Sequence, residues 1–270
     1  SYKVRGPTNL IGLLTEEERA KGVICSSAGN HSQGVAIAAQ QYGIQAVVCM
    51  ATNATPSKIE ATKGYGAEVV LHGSIWDEAN EKALELVKER GLTYIHPFDD
   101  PRLIAGQGTT GLEIIEDWPE AEIILVPIGG GGLISGVSMA VKSVKPNVRV
   151  IGIESSGAPA MKKSVEAGHL ITLDDVSSII DGLRVKTVGV NTHSVVSRFV
   201  DEIVTLSDKK IFNALIWLMA RAKLVTEGAA AAPVGALLGG LIEASPGTKV
   251  AVVLSGGNLD VDQLRGLNWN

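Results

Sequence analysis

The stretch Ile123-Ile-Leu-Val-Pro-Ile128, Gly129-Gly-Gly-Gly132, Leu133-Ile-Ser-Gly-Val-Ser-Met-Ala140 decides the architecture. Six mostly apolar residues in a row read as a strand buried on both faces, the pattern of a parallel sheet. Four glycines make the turn, and the residues behind them read as a helix. Lacking Cβ atoms, glycines let the backbone close on a bound anion and turn N–H groups toward it. The helix adds the positive end of its dipole. The stretch therefore predicts a phosphate-holding turn rather than a flexible linker, which does not belong between a buried strand and a helix. No Lys-Ser/Thr follows the glycines, so a P-loop is excluded. A dinucleotide turn needs spaced glycines and an acid about 20 residues on. Glu154, after the next strand, keeps that alternative open.

Outward from this turn the chain alternates strands and helices. Toward the N-terminus, Leu10 to Arg19 reads as one helical run. Val23-Ile-Cys25 is a strand, Ser26-Ser-Ala-Gly-Asn-His31 a strand-to-helix turn, and Ser32 to Tyr42 a helix. Further strands are expected at Ala46–Met50, Glu68–Leu71 and Thr93–Ile95, with a helix from Ser74 to Arg90 capped by Ser74. Pro97-Phe-Asp-Asp-Pro101 is a turn-rich break. Beyond the glycines come strands at Val148–Ile153, Val200–Leu206 and Val250–Leu254, the last running into Ser255-Gly-Gly-Asn258. Asp174 to Asn191 reads as loop. The expected fold class is α/β, with two domains of parallel-rich twisted sheets flanked by helices. Residues 22–98 form the small domain, and 1–21 plus 99–270 the large one. The Ser26–His31, tetraglycine and Ser255–Asn258 loops all follow strands, where ligands bind in such sheets. One shared site is the expectation.

Composition narrows the function. Twenty-nine acidic against 24 basic residues leave a net charge of −5, which argues against nucleic acid. No apolar run is long enough for a membrane span. Two cysteines, Cys25 and Cys49, without metal-ligand spacing point to a reducing, cytoplasmic setting. The chain opens at Ser1 already inside a motif, so an N-terminal leader is expected to be missing.

Four motifs carry a resemblance. Ser1-Tyr-Lys-Val-Arg-Gly6, Ser27-Ala-Gly-Asn-His-Ser-Gln-Gly34, Gly129-Gly-Gly-Gly-Leu133 and Ser255-Gly-Gly-Asn258 stand in the order found in the threonine/serine dehydratase (threonine deaminase) family. These are fold-type-II pyridoxal-phosphate enzymes with a tryptophan synthase β-like fold, similar also to serine racemase. The resemblance covers the whole chain. It implies pyridoxal 5'-phosphate as cofactor and Lys3 as the Schiff-base and catalytic lysine, with Tyr2 where the family motif has Phe. It implies cofactor contacts from Asn30, Gly129, Gly130, Gly131, Gly132, Leu133, Glu227 and Ser255. Substrate contacts are implied for Ser27, Gly29, Asn30, His31, Asp181 and Gly182. Four of these residues stay open between two readings. His31 touches substrate or is a structural hydrogen-bonder. Glu227 faces the cofactor ring or complements a helix dipole. Asp181-Gly182 closes over substrate or is an ordinary turn. The other histidines, His72, His96, His169 and His193, read as structural or exposed.

The implied reaction is β-elimination from L-threonine or L-serine, giving 2-oxobutanoate or pyruvate plus ammonia, with isoleucine biosynthesis as a setting and a homodimer or homotetramer as the assembly. Serine racemase is the near alternative. Racemases of this kind carry Ser where this chain has Ala28, and a methyl group cannot move protons. A β-replacement synthase is less consistent, because its asparagine loop resembles Ser-Gly-Asn-Thr. The alternative of another class is a non-catalytic nucleotide-binding or regulatory module. Related enzymes bind a divalent cation through a Glu, a carbonyl and an Asp, which align here with Glu154, Ala158 and Ala160. Ala160 offers no carboxylate, so no metal is expected, and Glu154 reads as a surface carboxylate closing a strand.

Overall fold

The computed structural model describes residues 1–259. The chain separates into two compact units, Ser1–Gln107 and a second that begins at Gly108. The end of the expected large domain, residues 260–270, lies outside the described residues.

In the first unit a 3-10 turn at Tyr2–Val4 leads into α1 (Arg5–Gly12) and α2 (Glu16–Lys21). Then follow β1 (Val23–Ser26), α3 (Asn30–Tyr42), β2 (Ala46–Met50), α4 (Pro56–Gly64), β3 (Glu68–Leu71), α5 (Trp76–Arg90) and β4 (Thr93–Tyr94). The sheet order is β3-β2-β1-β4 and every pairing is parallel. The period of two along the strands divides their side chains between two cores. Val23, Cys25, Val48 and Met50 face Leu10, Ile11, Val35 and Ala39 of α1 and α3. Ile24, Val47 and Cys49 face Ala79, Ala83 and Leu86 of α5. Each fully buried Val, Leu or Ile contributes about 1.5–3 kcal/mol.

α6 (Pro101–Asp117) carries the chain into the second unit. There β5 (Ile123–Pro127), α7 (Gly132–Val144), β6 (Arg149–Ser155), α8 (Ala160–Ala167), α9 (Val190–Phe199), β7 (Glu202–Leu206), α10 (Asp208–Trp217), α11 (Gly228–Leu238) and β8 (Val250–Val252) follow. The sheet order is β7-β6-β5-β8, again all parallel. Ile123, Leu125, Ile151 and Ile153 share one core with Ile211 and Leu215 of α10 and with Ala229, Ala231, Ala232 and Ala236 of α11. No helix among the described residues is long and apolar enough to cross a membrane.

Three local expectations are corrected. The run Leu10–Arg19 is two helices. Thr15 starts the second by accepting the Glu18 N–H at 3.2 Å, while the Glu18 carboxylate takes the Thr15 N–H at 2.8 Å. Such a reciprocal cap is worth about 1 kcal/mol, enough to end one helix and begin another. Ser74 does not cap α5, which begins two residues later. Glu78 instead turns back and collects the N–H groups of Ser74 and Ile75. The segment expected as loop up to Asn191 already contains the start of α9, whose Thr192 hydroxyl accepts the Gly189 N–H at 3.0 Å.

Candidate active site

Lys3, Ser27, Gly29, Asn30 and His31 lie in the first unit. Lys3 sits in the 3-10 turn, half-buried, and its Nζ donates to the Pro97 carbonyl at 2.7 Å. The same nitrogen lies 5.5 Å from the centre of the Tyr2 ring, a distance at which a cation and a π face attract. The lysine backbone is held by α3. A Cβ on Gly34 would stand 2.5 Å from the Lys3 carbonyl oxygen, so glycine at that position permits the approach.

The loop after β1 is tied by its own side chains. The Ser27 hydroxyl accepts the Gly29 N–H at 3.2 Å, and Ser32 donates to the Gly29 carbonyl at 2.6 Å. Asn30 opens α3. His31, one residue on, is 3% exposed, and its Nε2 meets the Ile95 carbonyl at 2.9 Å. A carbonyl accepts only, so Nε2 carries the proton and Nδ1 is the acceptor. Nδ1 is buried with no hydrogen-bond partner. Burial, helped by the Lys3 charge, pushes the imidazole pKa down to about 3. His31 is therefore a neutral ring tied to the main chain, with one unused acceptor.

The second unit gathers the remaining candidates. Gly129–Gly131 turn between β5 and α7, whose first internal bond runs from Ser135 N–H to the Gly131 carbonyl at 2.9 Å. The N–H groups of Gly132, Leu133 and Ile134, one turn earlier, belong to the helix start that has no internal acceptor. Gly131 has φ +91°, and a Cβ there would stand 2.5 Å from Met161 Cε and 2.9 Å from Thr192 Cβ. A Cβ on Gly129 would collide with the Gly182 carbonyl. Thr192 braces the turn by donating to the Gly130 carbonyl at 2.9 Å. The sequence signal for this brace, a lone Thr in a polar stretch, is too weak to read.

Asp181–Leu183 is a 3-10 turn wedged beside Gly129 and Ala229. Glu227 is the residue before α11, and its N–H donates to the Gly256 carbonyl at 3.1 Å, which joins it to the Ser255–Asn258 loop. Ser255 is buried. The tetraglycine turn, Asp181–Gly182, Glu227 and the Ser255 loop are thus neighbours in chain contact. Buried and unpartnered hydroxyls or amides also occur at Ser26, Gln107 and Thr226.

Glu154 is corrected. It is 1% exposed, not a surface carboxylate. Its two oxygens accept the N–H groups of Met161 at 2.8 Å and Lys162 at 2.9 Å, so it caps α8 from the neighbouring strand. Pro159, at the cap position itself, makes no side-chain cap bond. Burial pushes the Glu154 pKa up to about 7, against the pull of those two donors.

Comparison with known proteins supplies the chemistry. Residues 1–256 match the family model described as "Pyridoxal-phosphate dependent enzyme". The chain is 48% identical over 264 residues to an L-threonine ammonia-lyase of Thermotoga maritima, covering 98% of this chain and 65% of that relative's length. It superposes with a TM-score of 0.93 on the processed form of threonine deaminase isoform 2 from Solanum lycopersicum, at 37% identity, covering 98% of this chain and 78% of that one. Maize serine racemase also superposes at 0.93, with 36% identity and 98% and 82% coverage.

The residues fit the family cofactor. Its phosphate needs backbone donors without side chains in the way, and the Gly129–Gly131 turn with the start of α7 offers them. Its aldehyde needs a primary amine, and Lys3 holds one at a fixed position. With a family model matching nearly the whole chain, and a fold and donor set to suit, this chain belongs to the pyridoxal-phosphate dependent enzymes.

Proposed function

We propose that the chain removes water and ammonia from L-threonine and/or L-serine, giving 2-oxobutanoate or pyruvate. The observation that carries the reading is Lys3, a basic amine braced on both backbone and side chain, in a chain 48% identical to an L-threonine ammonia-lyase. Pyridoxal phosphate, when bound, supplies the electron sink. The chain's own residues do the rest. The helix start behind Gly131 receives the phosphate charge. The Asn30 amide and Ser255 hydroxyl hold the ring at its two polar positions. Ser27 and Gly29 address the substrate carboxylate, and His31, its Nε2 proton committed to the Ile95 carbonyl, steadies their loop. Asp181 and Gly182 contribute further substrate contacts. Glu227 orients the ring or steadies the start of α11. Lys3 takes the α-proton as general base once its nitrogen is free.

A racemase is the second reading, because maize serine racemase shares the fold. Ala28 speaks against it, since its methyl packs on the first unit's core and offers no proton. A cytoplasmic setting, suggested by two free buried cysteines, belongs to the same proposal. So do isoleucine biosynthesis and a homo-oligomeric assembly, both taken from the family resemblance.

The test is 2-oxo acid release from L-threonine and L-serine, beside D-serine formation, in the parent and in Lys3→Ala. The parent releases 2-oxo acid, and the variant loses all of it. Turnover that survives in the variant refutes the role of Lys3. D-serine without 2-oxo acid establishes the racemase instead.

A further inference from the structure

The segment after β4 carries more chemistry than its sequence suggests. Ile95 is pinned from both sides, its N–H to the Ile24 carbonyl at 2.8 Å and its carbonyl to His31 Nε2 at 2.9 Å. The next residue, His96, turns its ring back on its own chain. His96 Nδ1 accepts the N–H of Phe98 at 3.2 Å and of Asp99 at 2.8 Å. The ring stands edge-on between Tyr94, 6.3 Å away, and Phe98, 4.7 Å away. Pro97 lies inside this closed turn. It has a fixed φ and no N–H of its own, so its carbonyl is the one main-chain group the proline adds to the turn. That carbonyl is where Lys3 Nζ sits.

We propose that the Ile95–Asp99 turn is a positioning device for Lys3. His96 Nδ1 gathers two N–H groups and so aims the Pro97 carbonyl, which holds the lysine nitrogen whenever it is not joined to the cofactor. The inference rests on the reading of Lys3 as the reacting amine. An ammonium donating to a carbonyl makes a charge-assisted bond, stronger than a neutral one. The two imidazoles nearby do not oppose it. His31 is neutral for the reasons given above. His96 Nδ1 receives two N–H donors and therefore carries no proton, and burial, with the Lys3 charge adding to it, lowers its pKa despite Asp99 and Asp100. His96 is thus a positioning residue. It acts through the turn by way of the Phe98 and Asp99 N–H groups.

The test compares His96→Asn with His96→Gln in the full chain. Asparagine puts an acceptor oxygen where Nδ1 was, and glutamine moves it one bond outward. The readout is Lys3 acylation by an amine-reactive reagent without cofactor, followed by peptide mass. Losing the held position raises Lys3 reactivity roughly fivefold in the Gln variant, the size of one hydrogen bond, whereas the Asn variant stays within about twofold of the parent. Melting temperatures are measured alongside. If both variants match the parent, or both depart equally, the acceptor role of Nδ1 is wrong. If the Gln variant fails to fold, Pro97→Ala decides. It keeps the carbonyl but frees φ, so it raises Lys3 reactivity by a smaller factor, and no change overturns the proposal. Cofactor capture by the parent, followed by absorbance, is scored separately. Its failure refutes the reading of Lys3 as the reacting amine, while the acylation data still decide whether the turn holds the nitrogen.

Discussion

Two glycine turns follow two buried strands, and they use glycine for different reasons. In the tetraglycine turn the glycines are demanded by the fold. Gly131 needs its left-handed φ of +91°, and Met161 and Thr192 occupy the space a Cβ would take. In the loop after β1, Gly29 has φ −128° and nothing within 4 Å of where its Cβ would be. No contact in the first unit explains a glycine there. A residue that structure does not require, at a helix start beside Asn30, is free to be required by a ligand. The comparison separates a turn shaped by packing from a turn left open for approach.

Three measurements sharpen that contrast. Gly131→Ala has the largest effect. A positive φ costs a non-glycine residue about 1–2 kcal/mol, and the crowding adds a similar amount. We expect a loss of about 3 kcal/mol, read as a melting temperature lower by roughly 8 °C. A stable variant would remove the packing argument. The second measurement concerns the wall of the same turn. Met161, which crowds Gly131, takes its helix cap from Glu154. The folded chain holds the Glu154 proton up to about pH 7, whereas an ordinary Glu releases it near 4.5. The contribution of the protonated carboxyl is present below the lower value and is lost as pH rises through the upper one, up to about 3 kcal/mol in all. Glu154→Gln removes that slope, so its stability should rise relative to the parent between those pH values. Parallel curves would show that Glu154 titrates normally. The smallest structural effect belongs to Gly29→Ala. Stability should move by less than about 0.5 kcal/mol, while KM for the proposed substrate, L-threonine, rises. A fall in melting temperature instead would give Gly29 a structural job and erase the distinction.

The parts of the fold legible in sequence were those with local causes. An apolar run, four glycines and a helix-forming tail name strand, turn and helix within 18 residues, and Ile123–Ala140 needed no distant partner to be read. The break after Gly12 was also local. Thr15-Glu-Glu-Glu18 is a capping-box pattern, outweighed by the apolar residues leading into it. α9 was hidden because Val190–Phe199 is rich in β-branched and polar residues, and its start is secured by Thr192 folding back on Gly189. Glu154 and His96 could not be read at all. The first is defined by N–H groups on another element, seven and eight residues away. The second is defined by a turn whose purpose shows only when Lys3, 94 positions from Pro97, arrives at its carbonyl.

The contact between Gly34 and Lys3 sets a clock. With α3 pressed against its carbonyl, the lysine main chain has no room to slide, so the nitrogen travels by torsions of its own side chain. Rotamer changes of exposed side chains take picoseconds to nanoseconds, and the half-buried Lys3 must also let go of the Pro97 carbonyl, so its swing is slower than that. The pivot stays still, and every displacement of the nitrogen is a release from one carbonyl and a turn of one side chain.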